Sequence, residues 1–151
     1  MRKNLVLTAA IGFHISQLQL FIKSLRKYYK EEICFIIGSN DEEIENELKK
    51  YNCKIIKTNI DKRDIQLKRY RIFLDFLREK EFNKILFCDS RDVYFQSNPF
   101  DYSYKGSINF FLEDKKIGDC KFNSEWISKT YGEQVLTDLS EKIISCGGTI
   151  L

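Results

Sequence analysis

The sequence predicts an α/β fold in which a mainly parallel sheet is flanked by helices. Two patterns carry that expectation. Four short apolar runs have the length of buried strands, and between them apolar residues recur every three or four positions, the period of a helix. A third observation is compositional: one Pro and seven Gly in 151 residues favour dense, regular segments over linkers.

The apolar runs lie at residues 4–9, 33–38, 53–58 and 84–88. After the first, Ile15, Leu18, Ile22, Leu25 and Tyr29 share one stripe of a helix over 15–29. Ser39 followed by Glu42 is a capping-box pattern, opening a helix through Lys50 whose apolar points are Ile44 and Leu48. Asp64 can likewise cap a helix over 64–79, in which Tyr70, Phe73, Leu74 and Leu77 face inward and Lys68, Arg69 and Arg71 lie near the first half. Such alternation implies right-handed crossovers, a sheet covered on both faces and a ligand at the carboxyl ends of the strands.

After Cys88 the rhythm changes. An apolar stretch at 93–95 precedes a turn at Ser97, Asn98 and Pro99, and residues 107–112 read as a further strand. Asn123 or Ser124 can cap a helix that contains Trp126 and Ile127 and ends near Gly132, and 133–139 reads as another helix. Tyr28, Tyr29, Tyr70, Phe110 and Phe111 are expected in the core, and Trp126 in helix packing. The last run, 143–151, is apolar around Cys146, Gly147 and Gly148. Without linker or repeat, residues 1–151 are expected as a single domain. Its apolar ending, Thr149, Ile150 and Leu151, predicts a chain cut inside a strand or missing its second half.

With 43% apolar, 14% aromatic and 31% charged residues, the composition excludes a disordered chain. The formal charge of +3 spreads 25 basic against 22 acidic residues without a basic block, so nucleic acid is not an expected partner. No apolar run approaches the ~18 residues of a membrane-spanning helix. Arg2, Lys3 and the apolar stretch 5–13 have the outline of a secretory signal, but Thr8 and Gly12 interrupt it and no small-residue cleavage site follows. The five cysteines (Cys34, Cys53, Cys88, Cys120, Cys146) include no C-x-x-C pair and mostly sit in or beside apolar runs, which fits a reducing cytoplasm.

Chemistry concentrates in ILFCDSRDVYFQSNPF, residues 85–100. An apolar strand runs straight into Asp89, Ser90, Arg91 and Asp92, so two carboxylates emerge at the ligand-binding edge of a parallel sheet. At ~4 Å two carboxylates repel by ~4 kcal/mol at an effective dielectric of 20, a cost that a hard divalent cation reverses. Residues three apart point to opposite faces of an extended strand, so shared work requires the chain to turn at Ser90 and Arg91. The structural alternative is that Asp89 caps a turn while Asp92 pairs with Arg91 or a helix cation.

Asp89, Arg91, Asp92, Val93, Phe95, Gln96, Pro99 and Phe100 together resemble the Asp-x-Arg-Asp-Val-x-Phe-Gln-x-x-Pro-Phe signature of GT-A-type glycosyltransferases. The resemblance implies a Rossmann-like GT-A nucleotide-diphospho-sugar transferase fold and a nucleotide diphosphate sugar as donor. It further implies Mn²⁺ or Mg²⁺ as cofactor and transfer of a hexose to a hydroxyl of a glycan, lipid or small-molecule acceptor. The chain departs by one residue from the usual Asp-x-Asp spacing. Aligning the following Val-x-Phe makes Asp92 the metal ligand, with Asp89 on the metal's second side or on the ribose. Arg91 beside them can supply positive charge itself, leaving metal independence open.

By the same resemblance Arg69 meets the nucleotide or its phosphates, Thr8 and Ala9 touch the nucleoside, and Gly147 and Gly148 line the donor-sugar or acceptor pocket. The structural alternatives are a solvated helix face, a strand end and a strained turn. Such a reaction leaves negative charge on a diphosphate, which a cation or an Arg/Lys clamp stabilises. An inverting enzyme also needs a general base, for which Glu113 and Asp114, after the 107–112 strand, are the candidates. His14, the only histidine, reads as a polar residue at a helix start. A catalytically inactive or truncated nucleotide-binding or interaction module of the same fold is the alternative from another class.

Overall fold

In the computed structural model, which describes residues 2–151, strand and helix alternate through Cys88 as the apolar pattern requires. The chain divides into two compact units, residues 2–107 with Leu151, and Ile108–Ile150.

The first unit holds four parallel strands, β1 (Leu5–Ala9), β2 (Glu32–Gly38), β3 (Lys54–Thr58) and β4 (Ile85–Cys88). They lie side by side as β3-β2-β1-β4. Three helices connect them: α1 (Ile15–Tyr28), α2 (Glu42–Lys50) and α3 (Ile65–Leu77). Alternate strand residues serve opposite faces. Val6, Ile33, Phe35 and Ile37 pack with Leu18, Phe21, Ile22 and Leu25 of α1 and with Ile44 and Leu48 of α2. Leu5, Leu7, Cys34 and Ile36 pack with Phe73 of α3. Burial on both faces is why these strands read as continuous apolar runs. Each fully buried Leu, Ile or Phe side chain contributes about 1.5–3 kcal/mol.

Local chemistry corrects several expected helix starts and faces. Ser39 does not cap α2. Its N–H extends the sheet by donating to the Thr58 carbonyl at 2.9 Å, and Asp41 takes the N-cap position. The Asp41 carboxylate accepts from the Gly38 N–H at 3.0 Å instead of from a helix amide. Asp64 sits at the N-cap of α3 without a side-chain cap bond, because its carboxylate pairs with Lys68 at 2.7 Å. The inward face of α3 is Ile65, Ile72, Phe73, Phe76 and Leu77, while Leu74 is exposed. His14 does cap α1, its ring accepting from the Ser16 N–H while the Gln17 side chain accepts from the His14 N–H.

The second unit pairs β5 (Phe110–Lys116) antiparallel with β6 (Ile143–Ile150), and adds α4 (Lys121–Tyr131) and α5 (Glu133–Leu139). Here the expected strand at 107–112 moves toward the C-terminus. Leu112 pairs with Ser145 and Lys116 with Ile143, so partner register carries the strand beyond its apolar start. Phe110 and Phe111, expected in the core, are exposed, and Trp126 is half-exposed with its ring edge-on to Tyr131. Neither Asn123 nor Ser124 caps α4; it begins earlier, at Lys121, and Ser124 Oγ donates to the Ile117 carbonyl at 2.9 Å.

Together these elements make an α/β fold with helices flanking its sheet strands. Among the described residues no helix is long and apolar enough to cross a membrane. All five cysteines are free thiols.

Candidate functional site

The strand order places a reversal between β1 and β4. From β1 the chain winds outward through β2 and β3, then crosses back by way of α3 to lay β4 on the other side of β1. Loops leaving β1 and β4 therefore diverge at their carboxyl ends and open a crevice, the usual ligand position in such sheets. A cleft of about 370 Å³ lies there. Ala9, Gly12 and Gln17 wall it from the β1 side, Lys62, Gln66 and Arg69 from the start of α3, and Asp89, Arg91 and Asp92 from the end of β4.

Arg69 occupies the inward face of α3, one turn after Ile65 and three residues before Ile72. A guanidinium is tolerable there because it is paired: Arg69 Nη1 donates to Asp89 Oδ1 at 2.5 Å. The Arg69 side chain is only 14% exposed, that of Asp89 46%. Nη2 also donates to the Tyr70 hydroxyl at 3.3 Å, with the guanidinium 5.1 Å from the Tyr70 ring centroid. Burial alone lowers the Arg69 pKa, but the hydrogen bond and charge of Asp89, helped by Tyr70, outweigh it and hold the pKa above its ordinary value. Arg69 is thus a fixed cation at the cleft wall.

The end of β4 bends through Ser90, Arg91 and Asp92, the turn that two shared carboxylates require. Ser90 is buried and its hydroxyl donates to the Ala9 carbonyl at 2.8 Å. Arg91 and Asp92 are exposed at the cleft wall, and among the described residues neither makes a hydrogen bond or an ion pair. Asp92 is therefore not tied to Arg91 or to a helix cation. Asp89 and Asp92 border one cleft, the bend between them offsetting a spacing that would part them on an extended strand.

Other sequence candidates separate. Ala9 reaches the cleft, whereas Thr8 is buried within β1 and its hydroxyl has no hydrogen-bond partner among the described residues. Lys68 and Arg71 form exposed i,i+4 pairs with Asp64 and Asp75, an ordinary solvated helix face. Glu113 and Asp114 lie inside the exposed strand β5 rather than after it, because β6 pairing extends that strand. Gly147 and Gly148 lie within strand β6 rather than in a turn. A Cβ on Gly147 would meet nothing within 4 Å.

Two contributors escaped the sequence reading. Lys62 borders both the main cleft and a shallower hollow at the ends of β2 and β3 that includes Ser39, Asn40, Thr58 and Asn59. Its stem lies across Gly12, whose φ of +72° suits glycine and where a Cβ would approach Lys62 Cδ to 3.2 Å. Gln66 is the other. Neither stands out in a charged loop and helix start; Arg69 is distinguished from its basic neighbours by the family resemblance.

Among the described residues no cluster of three or more His, Cys, Asp or Glu side chains gathers. Two aspartates on one cleft wall are nevertheless hard oxygen donors. That set suits Mg²⁺ or Mn²⁺, which commonly use one or two carboxylates and complete their coordination with water and phosphate oxygens. No protein-family model and no curated protein matches the chain.

Proposed function

We propose that the chain is a GT-A-type glycosyltransferase whose first unit binds a nucleotide diphosphate sugar and passes its hexose to a hydroxyl of a glycan, lipid or small acceptor. The observation that carries this reading is the cleft at the strand-order reversal, which Arg69, Arg91 and Lys62 line together with Asp89 and Asp92. Three cations on one cleft suit a diphosphate, and two carboxylates among them suit the divalent ion that accompanies it.

The two aspartates divide the work. Asp89 fixes the Arg69 guanidinium so that it meets an incoming phosphate already oriented, without reorganisation during transfer. Asp92, exposed and uncommitted, would be the principal holder of Mn²⁺ or Mg²⁺, with Asp89 at its second side. The ion would supply Lewis-acid stabilisation of the charge that develops on the departing diphosphate. Arg91 and Lys62 add positive charge from opposite walls. The nucleoside lies against Ala9 rather than against the side chain of Thr8, which is buried. Five free thiols support a reducing, cytoplasmic setting.

Thermal-shift measurements with UDP, GDP, CDP and ADP and their sugars, each with and without Mn²⁺, test the reading. A ligand at 100 times its dissociation constant adds about 2.7 kcal/mol. For a chain of this size that is a rise of several degrees. Stabilisation by one nucleotide series, larger with Mn²⁺ and lost in Asp92→Ala, is the expected result. Indifference to every nucleotide and sugar overturns the reading in favour of a catalytically silent module.

A further inference from the structure

The corner that carries Asp89, Arg91 and Asp92 is fastened by side chains where the sheet stops fastening it. Along β1 and β4 the ladder is regular: Leu5 pairs with Ile85, Val6 with Leu86 and Leu7 with Phe87, and the Leu5 N–H donates to the Lys84 carbonyl at 3.0 Å. In a parallel ladder of this phase the next free acceptor on β1, the Ala9 carbonyl, would receive the backbone N–H of residue 90. It receives the Ser90 hydroxyl instead, at 2.8 Å. The rung is kept, but its donor is a side chain, and the main chain is released to bend through residues 90–92.

Beyond that rung, residues 90–96 make no backbone-to-backbone hydrogen bond among the described residues. The far end of the segment is held by a second buried hydroxyl. Ser24 Oγ of α1 accepts from the Phe95 N–H at 3.1 Å and donates to the Phe21 carbonyl at 3.0 Å. The Phe95 ring is buried edge-on to Phe21, with centroids 5.3 Å apart. Between the two hydroxyls lie Arg91 and Asp92, which hold nothing themselves. Their place at the cleft is set by the fasteners on either side and by the Asp89–Arg69 pair.

Resting on the glycosyltransferase reading above, we infer that Ser90 is a positioning residue: its hydroxyl, substituting for a main-chain rung at the end of β1, orients the acidic corner for a metal-bound diphosphate. Its side chain is buried at the cleft edge and its hydroxyl is spent on the Ala9 carbonyl. Its effect passes through Asp89 and Asp92, so it belongs to the metal-dependent part of binding rather than to the contacts of the nucleoside.

Two measurements on Ser90→Ala test this. Hydrogen exchange of individual amides reads the hold on the corner without any ligand. Exchange of the Phe95 N–H, held by Ser24 Oγ at the far end of the segment, and of the Cys88 N–H at the end of β4 is expected to quicken about five- to tenfold, the loss of one buried hydrogen bond. Amides of β2 and β3 should keep wild-type rates. Unchanged exchange at Cys88 and Phe95, or equal quickening throughout the sheet, overturns the inference. Calorimetric titration with UDP, GDP, CDP and ADP, each with and without Mn²⁺, reads the consequence. Affinity in Mn²⁺ is expected to fall about five- to tenfold while metal-free affinity changes less than about twofold. Equal losses in both conditions overturn the positioning role, since a purely structural defect does not distinguish them. A wild-type chain that binds none of these nucleotides overturns the glycosyltransferase reading, and with it the metal-diphosphate purpose assigned to Ser90.

Discussion

β2 of the first unit and β5 of the second have the same length, seven residues, but opposite relations to water. Five of the seven residues of β2 are fully buried, whereas every residue of β5 is exposed. The first arrangement makes the strand its own evidence: apolar side chains go to both faces, and sequence alone locates it within a residue or two. In β5 the strand is defined by its pairing with β6, and four of its seven residues, Glu113 to Lys116, are charged. A strand held by partner register leaves little local trace.

Removing a large side chain from each unit is the most direct way to break this contrast. Phe35 is fully buried in β2, edge-on to Phe21 at 5.8 Å between centroids. Phe35→Ala is expected to cost about 3–5 kcal/mol through lost burial and the cavity left behind. Leu112, 68% exposed in β5, should lose less than about 0.5 kcal/mol on replacement by Ala. Urea unfolding of both variants measures the difference. Comparable losses would mean that β5 is covered in solution and that the contrast is misdrawn.

The buried sheet also carries a pH signature. Burial pushes the Cys34 thiol from about 9 up to about 12 and the Cys53 thiol up to about 11, against a lowering influence from Arg26 on the latter. The fold therefore favours the protonated thiols. Below pH 9 both states keep their protons and stability is whole. As pH rises from about 9 toward 11 and 12 the unfolded chain ionises first, and stability drains away. By pH 12 the loss from Cys34 is on the order of 3 kcal/mol. Urea midpoints from pH 8 to 11 should fall along this window, less steeply in Cys34→Ala. A profile unaltered by that substitution would assign the alkaline loss to other groups.

The same physics separates what could be read at the candidate site from what could not. The Asp89 and Asp92 region was legible because an apolar strand ends abruptly in charge, whereas Arg69 is singled out from Lys68 and Arg71 by the family resemblance alone, its inward place being a matter of the fold. Ser90 was not: its partner, Ala9, lies 81 residues earlier, and a serine between two charged residues looks like any turn. Lys62 gained its place only when the β1 loop folded back under it at Gly12. Glu113 and Asp114 failed as strand-exit residues for the reason that moved β5 itself. Local composition reveals burial and charge, while tertiary register decides which of the charged residues share a cleft.

One identical substitution, made in both units, sharpens the comparison at its smallest scale. Gly12 has a φ of +72°, and a Cβ there would come within 3.2 Å of the Lys62 stem. Gly147 lies in an extended strand where a Cβ meets nothing within 4 Å. Gly12→Ala is expected to destabilise by about 1–2 kcal/mol from left-handed backbone strain. The Lys62 stem should give by a few tenths of an ångström, with little effect on its place at the cleft wall. Gly147→Ala should be neutral or stabilising by up to about 1 kcal/mol, since it reduces the freedom of the unfolded chain at no steric cost. Thermal unfolding of the two variants gives opposite signs if glycine serves close approach at Gly12 alone. A destabilised Gly147→Ala would show instead that β6 is crowded in solution, giving Gly147 the role of permitting close approach.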